Sequence, residues 1–494
     1  MKKRSGWKLS SIGIFYLLLI GSLTIIIQLI LGANIIILGV AIFIVLFSLI
    51  EIWINDINNI GAIIVFLFGT CTVTFGILLK TILFQRLDSN LYDPSLAFFV
   101  VLIGMIEIVI AFTIVNRMYI NPIFKPCIDP RTLDLIGIIS FFIGSFTWLL
   151  NQLYSNRITD FQADDPGLGG FALFRNLLIL SVITITASTL LKTEGRKILS
   201  IRLIIISIFI TLMAFIDNQK LLLLQPFLAF LLTIFFFRKG KIPFQFIYGI
   251  IGIGLIVIFI SPMVTYFRYI GIQGQTLENK ITLIENTITD LGLPKLLENA
   301  LFYTKVTYSR GYYDYFGGNG QFQMIGGRFA SIQQIDPIIE KIKPGSYIGL
   351  EPLSIAVQSI IPRIIFPNKD ISNDAYYIIQ KLGLASQWST YPTVPIIAIA
   401  YATLGIPGLL VIPLIIFILF FIEIKIIGWH LDRNIYAIFI LCFMFPYIHE
   451  GSFQQYYVKI FREIPTLIII IFLISAIAKI KFHHSYSFIP QKSE

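Results

Sequence analysis

Runs of about twenty apolar residues recur along almost the whole chain, the length a helix needs to cross roughly 30 Å of hydrocarbon. Inside lipid every backbone N–H and C=O must be satisfied within the protein, so runs of this kind are read as helices. At that length, spans fall near 11–31, 34–54, 59–79, 95–116, 133–152, 172–191, 200–216, 221–237, 243–261, 395–424, 434–447 and 464–480. The eleventh is short and ends at Pro446. Composition agrees: 56% of the residues are hydrophobic and 13% charged, against about 25% charged in soluble domains. The expected fold is all-α, a polytopic integral membrane protein of about twelve transmembrane helices.

Lys and Arg concentrate in cytoplasmic loops. With the N-terminus inside, the basic clusters at 2–4, 192–197 and 238–241 all fall on that side. Both termini are then expected in the cytoplasm. The start, MKKRSGWKLS, has the charge of a signal peptide, but the apolar run after it is too long and no small-residue cleavage site follows. It reads as an uncleaved first span. The formal charge of +10 is thus mostly topology, and no zinc-finger, helix-turn-helix or RNA-binding signature accompanies it, so no nucleic-acid partner is expected. Three cysteines without a CxxC, and four histidines without ligand spacing, give no disulfide framework and no metal site.

One segment, 262–392, has no span of its own, and loops of such length are usually functional or disordered. Order is expected here. In RFASIQQIDPIIEKIKPG, Phe329, Ile332, Ile335, Ile339 and Ile342 follow at steps of three or four, and Pro344-Gly345 stop the run. A second apolar stretch, 347–361, ends at Pro362. The chain therefore divides into helices 1–9 (1–261), a large extracytoplasmic cap of amphipathic helices facing the membrane (262–392), helices 10–12 (393–480) and a cytoplasmic tail (481–494).

The cap holds Arg310, Arg328, Arg363 and Lys369, with Tyr-Tyr pairs at 312–313 and 376–377. Guanidinium forks match phosphate oxygens and keep their charge, which suits them to a diphosphate. In SIIPRIIFPNKD, Pro362 and Pro367 stiffen the backbone around Arg363 and Lys369, and a preorganised cation loses less entropy on binding an anion. The same cations can instead satisfy helix ends, pair with Asp336, Glu340 or Glu351, or meet lipid headgroups. His449-Glu450, in PYIHEGSFQQYY, lies on the cap side; a histidine titrates near neutrality and can serve as a general base, or the pair can simply solvate a loop. Asp336 and Glu351 are lesser candidates for that role. Glu107 stands mid-span, where an acid costs about 3 kcal/mol unless it is paired or faces a polar cavity. Asp160, Asp164 and Asp165 read as a solvated turn.

The order of these motifs resembles the bacterial oligosaccharide-repeat-unit polymerases of the O-antigen type. Arg328 precedes a helix, Gly345-Ser346-Tyr347 forms the Gly-Thr/Ser-Tyr turn, Pro362-Arg363 is followed by Pro367 and Lys369, and the next span opens with Tyr401, Gly405 and Gly408. Many relatives carry a glutamate and an asparagine where this chain has Ile399 and Thr403, so an acid serving there must come from elsewhere.

The resemblance implies a GT-C-like glycosyltransferase architecture with one large extracytoplasmic helical loop. It implies polymerisation of polyprenyl-diphosphate-linked oligosaccharides into a polysaccharide at the outer face of the bacterial cytoplasmic membrane. Donor and acceptor are both lipid-linked, a flippase and a chain-length regulator are the implied partners, and no metal or other cofactor is expected. Arg310, Arg328, Arg363, Lys369, Tyr347 and Tyr401 would bind substrate, and His449, Glu450 or Asp336 would assist catalysis. An O-antigen-ligase-like or other polyprenyl-linked glycosyltransferase satisfies the same residues. A flippase of lipid-linked oligosaccharides is the alternative of a different class; carriers tend to break their helices at mid-membrane, whereas here polarity gathers in the cap.

Overall fold

The computed structural model describes residues 11–124, 129–154, 173–217, 219, 221–238, 261–272, 275–309, 315–317, 329–342, 345–361, 373–384 and 394–486. Among these the regular elements are all helical. Seven helices are long and apolar enough to cross a membrane, and four shorter apolar helices accompany them. Large apolar side chains stay uncovered on the periphery, among them Ile36 and Trp53, at 73% and 75% exposed. Such a surface belongs in lipid rather than water.

The first half runs α1 (Ser11–Ile30), α2 (Ile35–Asn55), α3 (Ile60–Ile82), α4 (Pro94–Arg117), α5 (Pro130–Tyr154), α6 (Leu177–Lys192), α7 (Ile201–Ile216) and α8 (Leu221–Phe237). Side-chain oxygens start several of these helices: Asn34 accepts from Ile36 N, Asn59 from Gly61 N, and Asp93 from Leu96 N with Pro94 in the first turn. After α8 come α9 (Ser261–Tyr269), α10 (Leu277–Ser309), α11 (Ile332–Lys341), α12 (Glu351–Ile360) and α13 (Asp374–Lys381). The chain returns through α14 (Ile396–Leu404), α15 (Ile406–Ile427), α16 (Ile435–Met444) and α17 (Tyr447–Glu450). It ends in α18, built from Phe453–Val458, a π turn at Lys459–Glu463 and Ile464–Tyr486.

The long expected spans are found, with physical differences. The run at 395–424 is two helices, because Gly405 sits at φ 68° between α14 and α15. Tyr347 fills the space there: a Cβ on Gly405 would lie 2.5 Å from its ring and hydroxyl. The carbonyls at the end of α14 lose their intrahelical partners at the break, and Ile348 N (2.9 Å, to Ala402) and Gly349 N (3.1 Å, to Thr403) supply them. Helices α7, α8 and α16 have 16, 17 and 10 residues, less than a full crossing, and the expected span at 243–261 lies outside the described residues.

At the centre α4 and α15 lie side by side and parallel, with α2 and α3 against α4, while α5, α6 and α8 form a second group. A polar network fixes one end, called here the far end. Lys425 Nζ donates to the carbonyls of Val115 (2.7 Å), Asn116 (2.9 Å) and Met118 (2.5 Å), a cation on the C-terminal carbonyls of α4. Trp429 Nε1 donates to Asn116, and Asn116 to Asn55, which joins α15, α4 and α2. The opposite end carries α9 to α13 and is called the cap end.

Gly405→Ala is expected to lower the thermal midpoint in detergent, since a left-handed residue with a Cβ costs on the order of 1–2 kcal/mol before Tyr347 is displaced. Gly39→Ala on α2, where a Cβ meets nothing within 4 Å, should hold or raise the midpoint, because alanine favours a helix interior over glycine.

Candidate functional site

Two polar side chains shape the surface on which the site is built. Gln28 of α1 donates to Thr81 Oγ1 (2.9 Å) and the Gln85 carbonyl (3.0 Å) and accepts from Leu87 N (2.8 Å). Lys80, fully buried at the end of α3, donates to the carbonyls of Arg86 and Ser89 and faces the Tyr315 ring at 3.7 Å. A buried ammonium is tolerated when oxygens surround it. Together they hold the 83–93 loop in one shape.

That loop presents the N–H groups of Tyr92 and Asp93, and Asp336 of α11 takes both, at 2.6 and 2.8 Å. Asp336 is 1% exposed; burial pushes its carboxyl above the usual range, while the two N–H groups pull the other way. The carboxylate thus anchors α11 to the entrance of α4.

A second attachment comes from a π turn in α3 at Thr70–Thr74. Phe75 N reaches back to Thr70 O, so the donor that an unbroken α-helix would offer Cys71 O is used elsewhere. Ser331 N takes that carbonyl at 3.3 Å. Gly76, one turn on, lets the chain come close: a Cβ there would lie 2.8 Å from Ala330 Cβ and 3.2 Å from Tyr315.

The third attachment reaches the candidate catalytic pair. Gln334 Nε2 donates to Glu450 Oε1 at 3.2 Å, and Phe329 stacks on His449 with ring centroids 6.4 Å apart. Phe445 meets the same imidazole edge-on, and Phe329 also meets Phe75 of α3 at 5.3 Å. His449 and Glu450 are buried. The helix expected at 329–342 is therefore present over Ile332–Lys341, but not as an amphipathic helix on the membrane surface: Gln333, Gln334 and Asp336 are buried along with Ile332, Ile335, Ile338 and Ile339. It is sunk into the mouth of the bundle, polar side chains included, where Asp336 meets two backbone donors and Gln334 Nε2 an acceptor.

Tyr347 and Tyr401 meet edge to face at 6.4 Å on the α14 side of α11, with Tyr347 part-exposed and Tyr401 buried. So α11 has His449 and Glu450 on one flank and the tyrosine pair on another. Arg310, Arg328, Arg363 and Lys369 lie outside the described residues, as do Asp160, Asp164 and Asp165. Among the described residues, no group of three or more His, Cys, Asp or Glu converges on one point.

Sequence reasoning did not single out Gln334, Lys80 or Gln28; polar residues inside apolar helices were the available signal. It also missed a node where Asp217 accepts from Trp148 Nε1 (3.0 Å), Gln152 Nε2 (2.6 Å) and Arg175 (2.9 Å). There Lys280 of α10 donates to Gln152 Oε1 at 3.1 Å, and its ammonium is held below the usual range by burial. This ties α10 to α5 and α7.

Asp374, at the start of α13, is another such tether. Its carboxylate accepts from Gln454 N (2.8 Å) and Ala375 N (2.8 Å), joining α13 to α18 directly after the His449-Glu450 turn. No family model, curated protein or solved structure matches the chain.

Burial pushes Asp374 up to about 6 from 3.8. A raised folded-state value means its contribution to stability is fully present below 3.8 and is lost as pH rises through about 6. Relative to Asp374→Asn, the wild-type thermal midpoint should fall between pH 4 and pH 7; parallel curves for the two proteins would contradict this.

Proposed function

We propose that the chain is a membrane glycosyltransferase, of GT-C-like architecture, that polymerises polyprenyl-diphosphate-linked oligosaccharide units at the outer face of a bacterial cytoplasmic membrane. In this reading the cap end faces outward and both termini lie inside. Support comes from the motif order of the sequence and from one observation: the segment that begins directly after Arg328 is pinned against His449 and Glu450 through Phe329 and Gln334.

The reaction joins an acceptor hydroxyl oxygen to the anomeric carbon of the donor while the carbon–oxygen bond to the diphosphate breaks, and the electron pair leaves with the diphosphate. Arg328 and Arg363, with Arg310 and Lys369, stabilise the charge that grows there. The acceptor proton passes to His449, whose ring packs against Phe329 and Phe445. Glu450, next in the chain, is held by Gln334. Burial of the pair under α11 excludes water, which would otherwise hydrolyse the donor. Asp336 acts through α11, as the residue that positions this cover. Tyr347 offers an aromatic face to a sugar ring.

The test is elongation of lipid-linked repeat units in vesicles lacking an ion gradient or nucleotide, where a flippase would only relocate substrate. His449→Gln and Arg363→Lys are expected to lose long-chain product by 10²-fold or more, the usual scale for a general base or a charge-stabilising donor, while the protein stays in the membrane. Normal chain lengths in both variants would remove these residues from the chemistry.

A further inference from the structure

We infer that Glu107, at the centre of the bundle, is a proton-binding site whose resident form is the neutral carboxylic acid. It stands near the middle of α4, is 3% exposed, and among the described residues neither of its oxygens has a hydrogen-bond partner. One turn toward the cap end, the bare Cα of Gly104 lets Ile397 of α14 close on the helix, with a Cβ there only 2.6 Å from Ile397 Cγ2.

The elements packed on α4 carry few titratable groups. Glu51 lies on α2, Cys71 and Lys80 on α3 with the Lys80 ammonium on the 86–89 carbonyls at the cap end, Tyr401 on α14, Glu423 and Lys425 on α15, and Asp336, Glu340 and Lys341 on α11 at the cap end; no hydrogen bond or ion pair joins any of them to Glu107. Lys425 has its ammonium on the carbonyls that end α4. An isolated carboxylate in such surroundings neutralises by taking a proton instead of keeping its charge. A metal cation would need several oxygens at once, and Glu107 supplies a single carboxyl. Glu423 stands on α15 between that level and the far end, 9% exposed and with Oε2 unpartnered among the described residues.

A buried acid without a partner adds nothing to packing that a leucine would not. Its presence marks a group that binds H⁺, a role independent of the glycosyl transfer proposed above.

Infrared difference spectra of the protein in lipid at neutral pH test this, with Glu107→Gln subtracted from wild type. The expected result is loss of a protonated-carboxyl carbonyl band that is indifferent to exchange of sodium for potassium. Loss of ionised-carboxylate bands instead, or a wild-type band that vanishes when either cation is added, would overturn the assignment. Glu107→Leu should melt at or above the wild-type midpoint; a lower midpoint, or failure of Glu107→Gln to fold, would make the residue structural and overturn it equally.

Discussion

The cap end is organised by a carboxylate meeting two backbone N–H groups. Asp336 of α11 accepts from Tyr92 and Asp93 just ahead of α4, and the surrounding residues serve to make that encounter specific. Gln28 and Lys80 fix the loop that presents the donors, the π turn in α3 frees the Cys71 carbonyl for Ser331, and Gly76 allows the close approach. A hydrogen bond to a charged group contributes about 1.5–3 kcal/mol, more than neutral bonds do. Removing the acid would take away the acceptor of both donors.

From that anchor the rest of the site follows by geometry. With α11 sunk in the bundle mouth, Gln334 reaches Glu450, and Phe329 covers His449. The chain leaving α11 is sewn onto the break between α14 and α15, where Gly405 turns the backbone and Tyr347 occupies the space above it. Two further tethers, Asp374 to Gln454 and Lys280 to Gln152, bind other cap helices to the bundle. The far end uses the same device with the sign reversed: a lysine ammonium satisfies the last carbonyls of α4.

Much of the helical layout was legible in the sequence because span length is set by bilayer thickness, and long apolar runs leave the backbone no alternative to helix. The helix over Ile332–Lys341 was equally legible from its isoleucine spacing and the stop at Pro344-Gly345. Its environment was not. Periodicity marks which face is apolar, but says nothing of whether Gln334 and Asp336 on the other side will find partners from α17 and the 83–93 loop, more than a hundred residues away in each case. The break at Gly405 was signalled by Gly405, Pro407 and Gly408 but passed over within the apolar run; what the run does not encode is the approach of Tyr347, which makes the positive φ useful. His449 and Glu450 were found by residue type and by the side on which they fall; their burial under Phe329 depends on contacts that no local pattern encodes.

The most direct test of this organisation is residue-resolved amide hydrogen exchange at Tyr92, Asp93 and Ser331 in the intact protein. All three donors are engaged outside any regular helix. Exchange as slow as that in the interior of α3, accelerating at Tyr92 and Asp93 when Asp336 is replaced by alanine, is the expected result. Fast exchange at these amides in the wild-type protein, or no change on losing the carboxylate, would mean that α11 is not held where the site requires it.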